Sequence, residues 1–166
     1  VRYDGATADG VAPVKGDATN IREWLDTASA FVSKQKEYDA NGNVTAEVDP
    51  LGARTTTAYD TTWQLFPVTL TTPLNQVSTK TWSMGCGAEA TVTDPNGQTT
   101  TTAYDALCRP TLVSKPGGDY GATSYVSIGD PAAQYIETRG PSPDGVGELW
   151  ARKYHDGLKR EYKTVS

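Results

Sequence analysis

Residues 93–105 read TDPNGQTTTTAYD and residues 48–60 read VDPLGARTTTAYD, a near copy 45 positions apart. A catalytic motif is normally written once per active site, whereas a unit that buries its face against a copy of itself recurs at a fixed period. Aligning each proline with the aromatic residue nine positions later gives Pro50 with Tyr59, Pro73 with Trp82, Pro95 with Tyr104 and Pro116 with Tyr125. The prolines are 23, 22 and 21 residues apart, so the echo spans two units, the middle one degenerate, with Trp82-Ser83 where its neighbours carry Tyr-Asp. Gly or Asn followed three residues later by Thr or Ser recurs at Gly16, Gly42, Gly52, Asn75 and Gly97. Tyr-Asp pairs start at Tyr3, Tyr38, Tyr59 and Tyr104, with the variant Tyr154-His155-Asp156-Gly157 near the end.

The residues of one unit predict its backbone. Asp-Pro-x-Gly, at Asp49-Pro50 to Gly52 and Asp94-Pro95 to Gly97, is a type I turn signature: proline presets φ, Asp bonds the backbone ahead and Gly suits the fourth place. The run Ala53 to Tyr59 is rich in β-branched residues that prefer a pleated strand. Tyr-Asp, at Tyr38-Asp39, Tyr59-Asp60 and Tyr104-Asp105, opens a second turn, in which Asn41-Gly42 supplies a positive φ. Two strands and two turns in about 22 residues allow only antiparallel neighbours, because parallel strands need a long crossover. The fold class expected is all-β: an antiparallel ribbon that grows by addition.

One segment has a competing pattern. Ile21, Trp24, Leu25, Ala28 and Val32 have helical spacing, and Asn20 with Glu23 resembles a capping pair. Because Gly16-Asp17-Ala18-Thr19 holds the phase of Gly42-Asn43-Val44-Thr45, residues 16–25 are read as a strand.

A net charge of −5 with 15 Lys and Arg cannot neutralise a run of phosphates, which argues against nucleic acid as a partner. No apolar stretch approaches the roughly 20 residues that span a bilayer, so no membrane insertion by this segment is expected. The chain starts in mid-unit at Val1 and stops in mid-strand at Ser166, which reads as a single segment, 1–166, of something larger that is incomplete at both ends. Pro141 to Gly145 open an irregular insertion, about 129–150, that stretches the interval from Tyr125 to Tyr154 to 29 residues.

Candidate chemistry is sparse. His155, the only histidine, sits in a repeat turn with no nucleophile or orienting partner indicated. The stretch from Asp39 to Asn43 departs from a calcium loop, with glycine at position 4 and Pro50 at position 12. No catalytic residue, metal ligand or cofactor site is assigned, and no enzyme activity is expected. The recurring tyrosines read as packing between units. Cys86 follows Trp82 by four residues and Cys108 follows Tyr104 by four. Equal phases in an antiparallel ribbon lie two strand spacings apart, about 9.5 Å, beyond the roughly 7 Å Cα limit for a disulfide. Two free thiols are therefore expected, although the rewritten Met84–Gly87 turn offers a way to bring them closer, and a bridge would count against a regular ribbon.

Tyr-Asp-x-x-Gly-Asn (38–43), Asp-Pro-x-Gly-x-x-Thr-Thr (49–56 and 94–101) and Tyr-x-Asp-Gly-Leu-x-Arg (154–160) resemble the Rhs, or YD, repeats. The strings 16–25, 65–69 and 94–97 look more narrowly like the Rhs region of the B and C components of insecticidal toxin complexes. That resemblance implies a bacterial protein, secreted or at the cell surface, whose repeats wind a sheet into a hollow shell around an unfolded toxin polypeptide. The partners implied are the rest of the shell, the enclosed toxin and other toxin-complex subunits. Related repeats also occur in cell-surface adhesion proteins, which keeps an adhesion or carbohydrate-binding module as the alternative. The Asp-Pro pairs at 49, 94 and 130 lack the further aspartates of the family's autoprotease motif.

Overall fold

The structure is a computed structural model and describes residues 1–166. It contains fourteen strands and two single-turn 3-10 helices, Asp26–Ala28 and Pro116–Gly118. Two compact units are distinguished, Val1–Lys80 and Thr81–Ser166, and the division falls inside one strand.

The first unit carries β1 (Arg2–Tyr3), β2 (Ala18–Leu25), β3 (Ala30–Tyr38), β4 (Val44–Val48), β5 (Arg54–Tyr59), β6 (Pro67–Thr71) and the start of β7 (Val77–Ser83). Each strand pairs antiparallel with the next in chain order. The second unit continues with β8 (Ala88–Thr93), β9 (Thr99–Tyr104), β10 (Pro110–Ser114), β11 (Tyr120–Val126), β12 (Tyr135–Pro141), β13 (Glu148–His155) and β14 (Glu161–Val165). These too are paired in chain order and antiparallel throughout. Both units are thus the antiparallel repeat ribbon that the short connections require.

Residues 16–25 contain β2, whose Trp24 lies opposite Phe31 and Leu25 opposite Ala30. The helical spacing spans a tight hairpin, so its apolar residues belong to two strands and a turn. The stretch 129–150 is more regular than its turn residues suggest. β12 and β13 pair over seven positions without a bulge, which confines the irregular backbone to residues 127–134 and 142–147. The alternation Tyr135-Ile136-Glu137-Thr138-Arg139 is a strand pattern, obscured in the sequence by the prolines that follow.

Little of this sheet is buried. Ala46 is the one apolar residue that is fully covered, joined by Asp60 and Glu137 among polar residues, while most strand positions on both faces are half-exposed. With no dry core to supply burial energy, the ladder, the turns and the cross-strand pairs hold the units together. Such cross-strand pairs contribute roughly 0.2–1 kcal/mol each, and the direct Thr81–Thr91 and Thr93–Thr99 hydroxyl contacts at 2.8 Å are two of them.

Candidate functional site

The repeat positions that stand out in the sequence converge on the turns, and each aspartate there has one task. Asp39 Oδ1 accepts the N–H groups of Asn41 (2.8 Å) and Asn43 (2.9 Å). Asp105 does the same for Leu107 and Arg109 at 2.9 and 3.0 Å, and Asp156 for Leu158 and Arg160 at 2.8 and 3.0 Å. The Asp-Pro turns use identical bonds: Asp49 to Leu51 and Ala53, both 2.8 Å, and Asp94 to Asn96 and Gln98 at 2.9 and 2.8 Å. The two turn signatures of the sequence therefore fold into one loop, a type I turn closed by a residue at positive φ. That residue is Gly42, Gly52, Gly97, Cys108 or Lys159. Asn41 keeps a negative φ, so the Asn-Gly pair is not a two-residue reversal. In the degenerate unit Thr72 takes the aspartate's place before Pro73, and its Oγ1 accepts the Gln76 N–H at 3.3 Å.

The same aspartate also closes longer loops. Asp60 accepts N–H bonds from Thr62, Trp63, Leu65 and Phe66 at 3.2, 2.6, 3.0 and 2.9 Å. Those amides, Phe66 and Trp63 foremost, pull its pKa from the ordinary 3.8 to about 2. Asp4 gathers Val14, Lys15, Gly16 and Asp17 at 2.6, 3.0, 3.3 and 3.0 Å, and the Val14 N–H is the main reason its carboxyl sits below the usual range. Asp39, Asp105 and Asp156 are lowered as well, chiefly by the Asn43 side-chain amide, the Arg109 guanidinium and the Arg160 N–H respectively.

The tyrosines tie strands to one another beside these turns. The Tyr38 hydroxyl donates to the Ala18 carbonyl (3.1 Å), Tyr59 to Val44 (3.2 Å), Tyr104 to Glu89 (2.8 Å) and Tyr125 to Pro110 (3.3 Å). Each acceptor lies at the start of an earlier strand. Tyr154 departs from this pattern and packs between Tyr135 and Tyr162, with centroids 5.3 and 6.3 Å away. Trp82 occupies the tyrosine's place in β7, and Pro116 opens the Pro116–Gly118 turn. Gly157 lies against Pro131, whose ring would stand 3.4 Å from a Cβ at that position.

Neighbouring turns on one edge are also joined to each other. In the first unit the Asn43 side-chain amide donates to the Gln64 carbonyl at 2.7 Å, and Asn41 bonds the Gln64 side chain. In the second, the Gln134 amide donates to the carbonyls of His155 (3.0 Å) and Asp156 (2.9 Å). Between the turns at 84–87 and 105–109 the link is covalent. Cys86 and Cys108 form a disulfide with Cα atoms 5.3 Å apart, which corrects the expectation of free thiols. The two-strand spacing holds for ladder residues, and both cysteines lie beyond the ladder. Ser83 C=O accepts N–H bonds from both Cys86 (3.0 Å) and Gly87 (2.8 Å), and Cys108 sits at φ 60°. The bridge coexists with β8–β9 and β9–β10 pairing, and the register shift between Pro110 and Leu112 has counterparts beside Tyr38 and Tyr59, where there is no bridge, so the bridge does not oppose a regular ribbon.

Two features of the second unit escape the repeat pattern. Glu137, 6% exposed, lies between the Nε atoms of Arg152 and Arg139, each 2.6 Å away, and these lower its pKa in that order. Arg152 also covers the rings of Tyr135 (5.0 Å) and Trp150 (5.1 Å). The sequence signal is the facing pair Glu137-x-Arg139 and Trp150-x-Arg152, which no periodicity marks. The second feature is a cleft of about 620 Å³ beneath the 127–134 loop, lined by Tyr125, Ile128, Pro131, Ile136, His155 and Lys159 among others. Arg109 stacks 4.0 Å over Tyr125 at its side. His155 also lines this cleft, and the neighbouring Asp156 carboxylate is bound to its own loop and to Arg160 Nε at 2.7 Å.

An antiparallel ribbon with carboxylate-held turns defines a structural repeat. The RHS repeat family matches residues 38–77 and 87–120, so over those residues the chain is similar to Rhs, or YD, repeats. No curated protein matches the chain.

Proposed function

We propose that this chain is a non-enzymatic wall segment of a bacterial Rhs-repeat shell that encloses a toxin polypeptide, in a protein exported to or beyond the cell surface. The observation that carries the reading is a repeat sheet with almost no buried apolar residue. Strands of about six residues at ~3.3 Å each make a wall roughly 20 Å high, and strand twist curls a long ribbon of this kind. The Thr-rich, half-exposed faces suit weak, distributed contact with an unfolded chain better than one tight site. A disulfide favours an oxidising compartment, which agrees with export, and the narrower toxin-complex assignment rests on the motif strings alone.

The test is limited proteolysis of the natural protein that carries these residues. A polypeptide segment that is protected in the native protein, and cleaved once the repeats are opened by denaturant, is the expected result. Cleavage of every non-repeat segment at the same rate before and after opening would remove the enclosure. A second reading, an adhesion module that binds a carbohydrate, draws on the cleft beside Tyr125 and His155. Binding on a glycan array that Tyr125→Ala abolishes would favour it.

A further inference from the structure

We propose that the Cys86–Cys108 disulfide is a thiol-reducible staple, closed in oxidising surroundings and opened by a dithiol reductant, which uncouples two turns while the strands stay paired. The inference does not rest on the enclosure reading, since it concerns the turn edge of residues 81–166 whatever the sheet surrounds.

Three observations carry it. The bridge joins turns, not strands, across a sequence separation of 22. Each turn also has hydrogen bonds of its own that do not run through the bridge. Asp105 keeps the 105–109 loop through Leu107, Arg109 and the Arg109 Nε at 2.7 Å, and the Ser83 carbonyl keeps the other. Finally, Cys108 is an exposed residue next to exposed Ala106 and Leu107, on a turn that a reductant can approach. The equivalent links elsewhere, Asn43 to Gln64 and Gln134 to residues 155 and 156, are hydrogen bonds that a change of redox poise does not touch. One edge therefore has a single link that chemistry can reverse.

The step is ordinary thiol–disulfide exchange. A thiolate of the dithiol attacks Cys108 Sγ, the Cys86–Cys108 bond breaks and Cys86 leaves as thiolate. The second thiolate of the reductant then attacks the mixed disulfide, Cys108 leaves as thiolate and the reductant departs as its own disulfide. Two electrons pass to the protein, and both cysteines take up protons from water.

Native-state hydrogen exchange by mass spectrometry on the natural protein, with and without dithiothreitol and with thiols counted by alkylation, tests this. Without reductant neither cysteine is expected to alkylate. With it, both alkylate, amides in 83–87 and 105–109 exchange about tenfold faster or more, as for a local opening, and β9 is unchanged. A Cys86→Ala/Cys108→Ala variant matches the reduced protein and ignores dithiothreitol. Thiols that alkylate without reductant, turns that exchange alike in both states, or loss of protection in β9 along with the turns would each overturn the proposal.

Discussion

At the scale of single residues, the aspartate that opens each turn is the repeat's organising group, because one carboxylate satisfies the backbone donors that a reversal leaves exposed. Asp60 is the extreme case, with four N–H partners and a pKa of about 2. A depressed folded-state pKa contributes stability above the unfolded value of 3.8 that is lost as pH falls toward about 2. The thermal midpoint is expected to drop between those pH values, and Asp60→Asn is expected to lower the midpoint at neutral pH and flatten that acid limb. Circular dichroism melts across pH check both, and an unchanged acid limb in the variant would sink the assignment. The tyrosines act at the same scale. Tyr104→Phe removes the 2.8 Å bond to the Glu89 carbonyl and is expected to cost about 1 kcal/mol in urea unfolding. The motif residues were legible in the sequence, whereas their bonds were not, since spacing says which positions recur and not which atoms they reach. Glu137 and its two arginines had no periodic signal at all.

At the scale of elements, one loop serves both edges of the ribbon, and its positive-φ position accepts different residues. Gly97 has φ 77° with no atom within 4 Å of where a Cβ would stand, while Lys159 adopts φ 63° with a side chain. A left-handed backbone costs a non-glycine residue roughly 1–2 kcal/mol. Gly97→Ala is therefore expected to destabilise by about 1 kcal/mol from strain alone, and Lys159→Gly to gain slightly less than that, offset by the entropy of a freer unfolded chain. Denaturant midpoints test the pair, and equal signs for the two substitutions would contradict the account. The strands and their antiparallel order followed from unit length and turn chemistry. The disulfide did not, because strand spacing governs residues in the ladder and both cysteines lie in turns, where the backbone leaves it. The hairpin of β12 and β13 was hidden for a different reason: Pro141 ends β12 and Pro143 lies in the turn that follows, and their punctuation hid the alternation before them.

For the whole molecule, the central claim is that these repeats enclose rather than catalyse. The resemblance to Rhs repeats was visible in the motifs, and the RHS repeat match covers 38–77 and 87–120; whether the sheet surrounds anything was not written in those residues, since Thr-rich faces specify no single ligand. Electron cryomicroscopy of the natural protein that carries this chain tests the claim most directly. The account predicts a closed shell whose wall is one antiparallel sheet thick, with unordered polypeptide density inside. A sheet with solvent on both faces and no enclosed volume would contradict it.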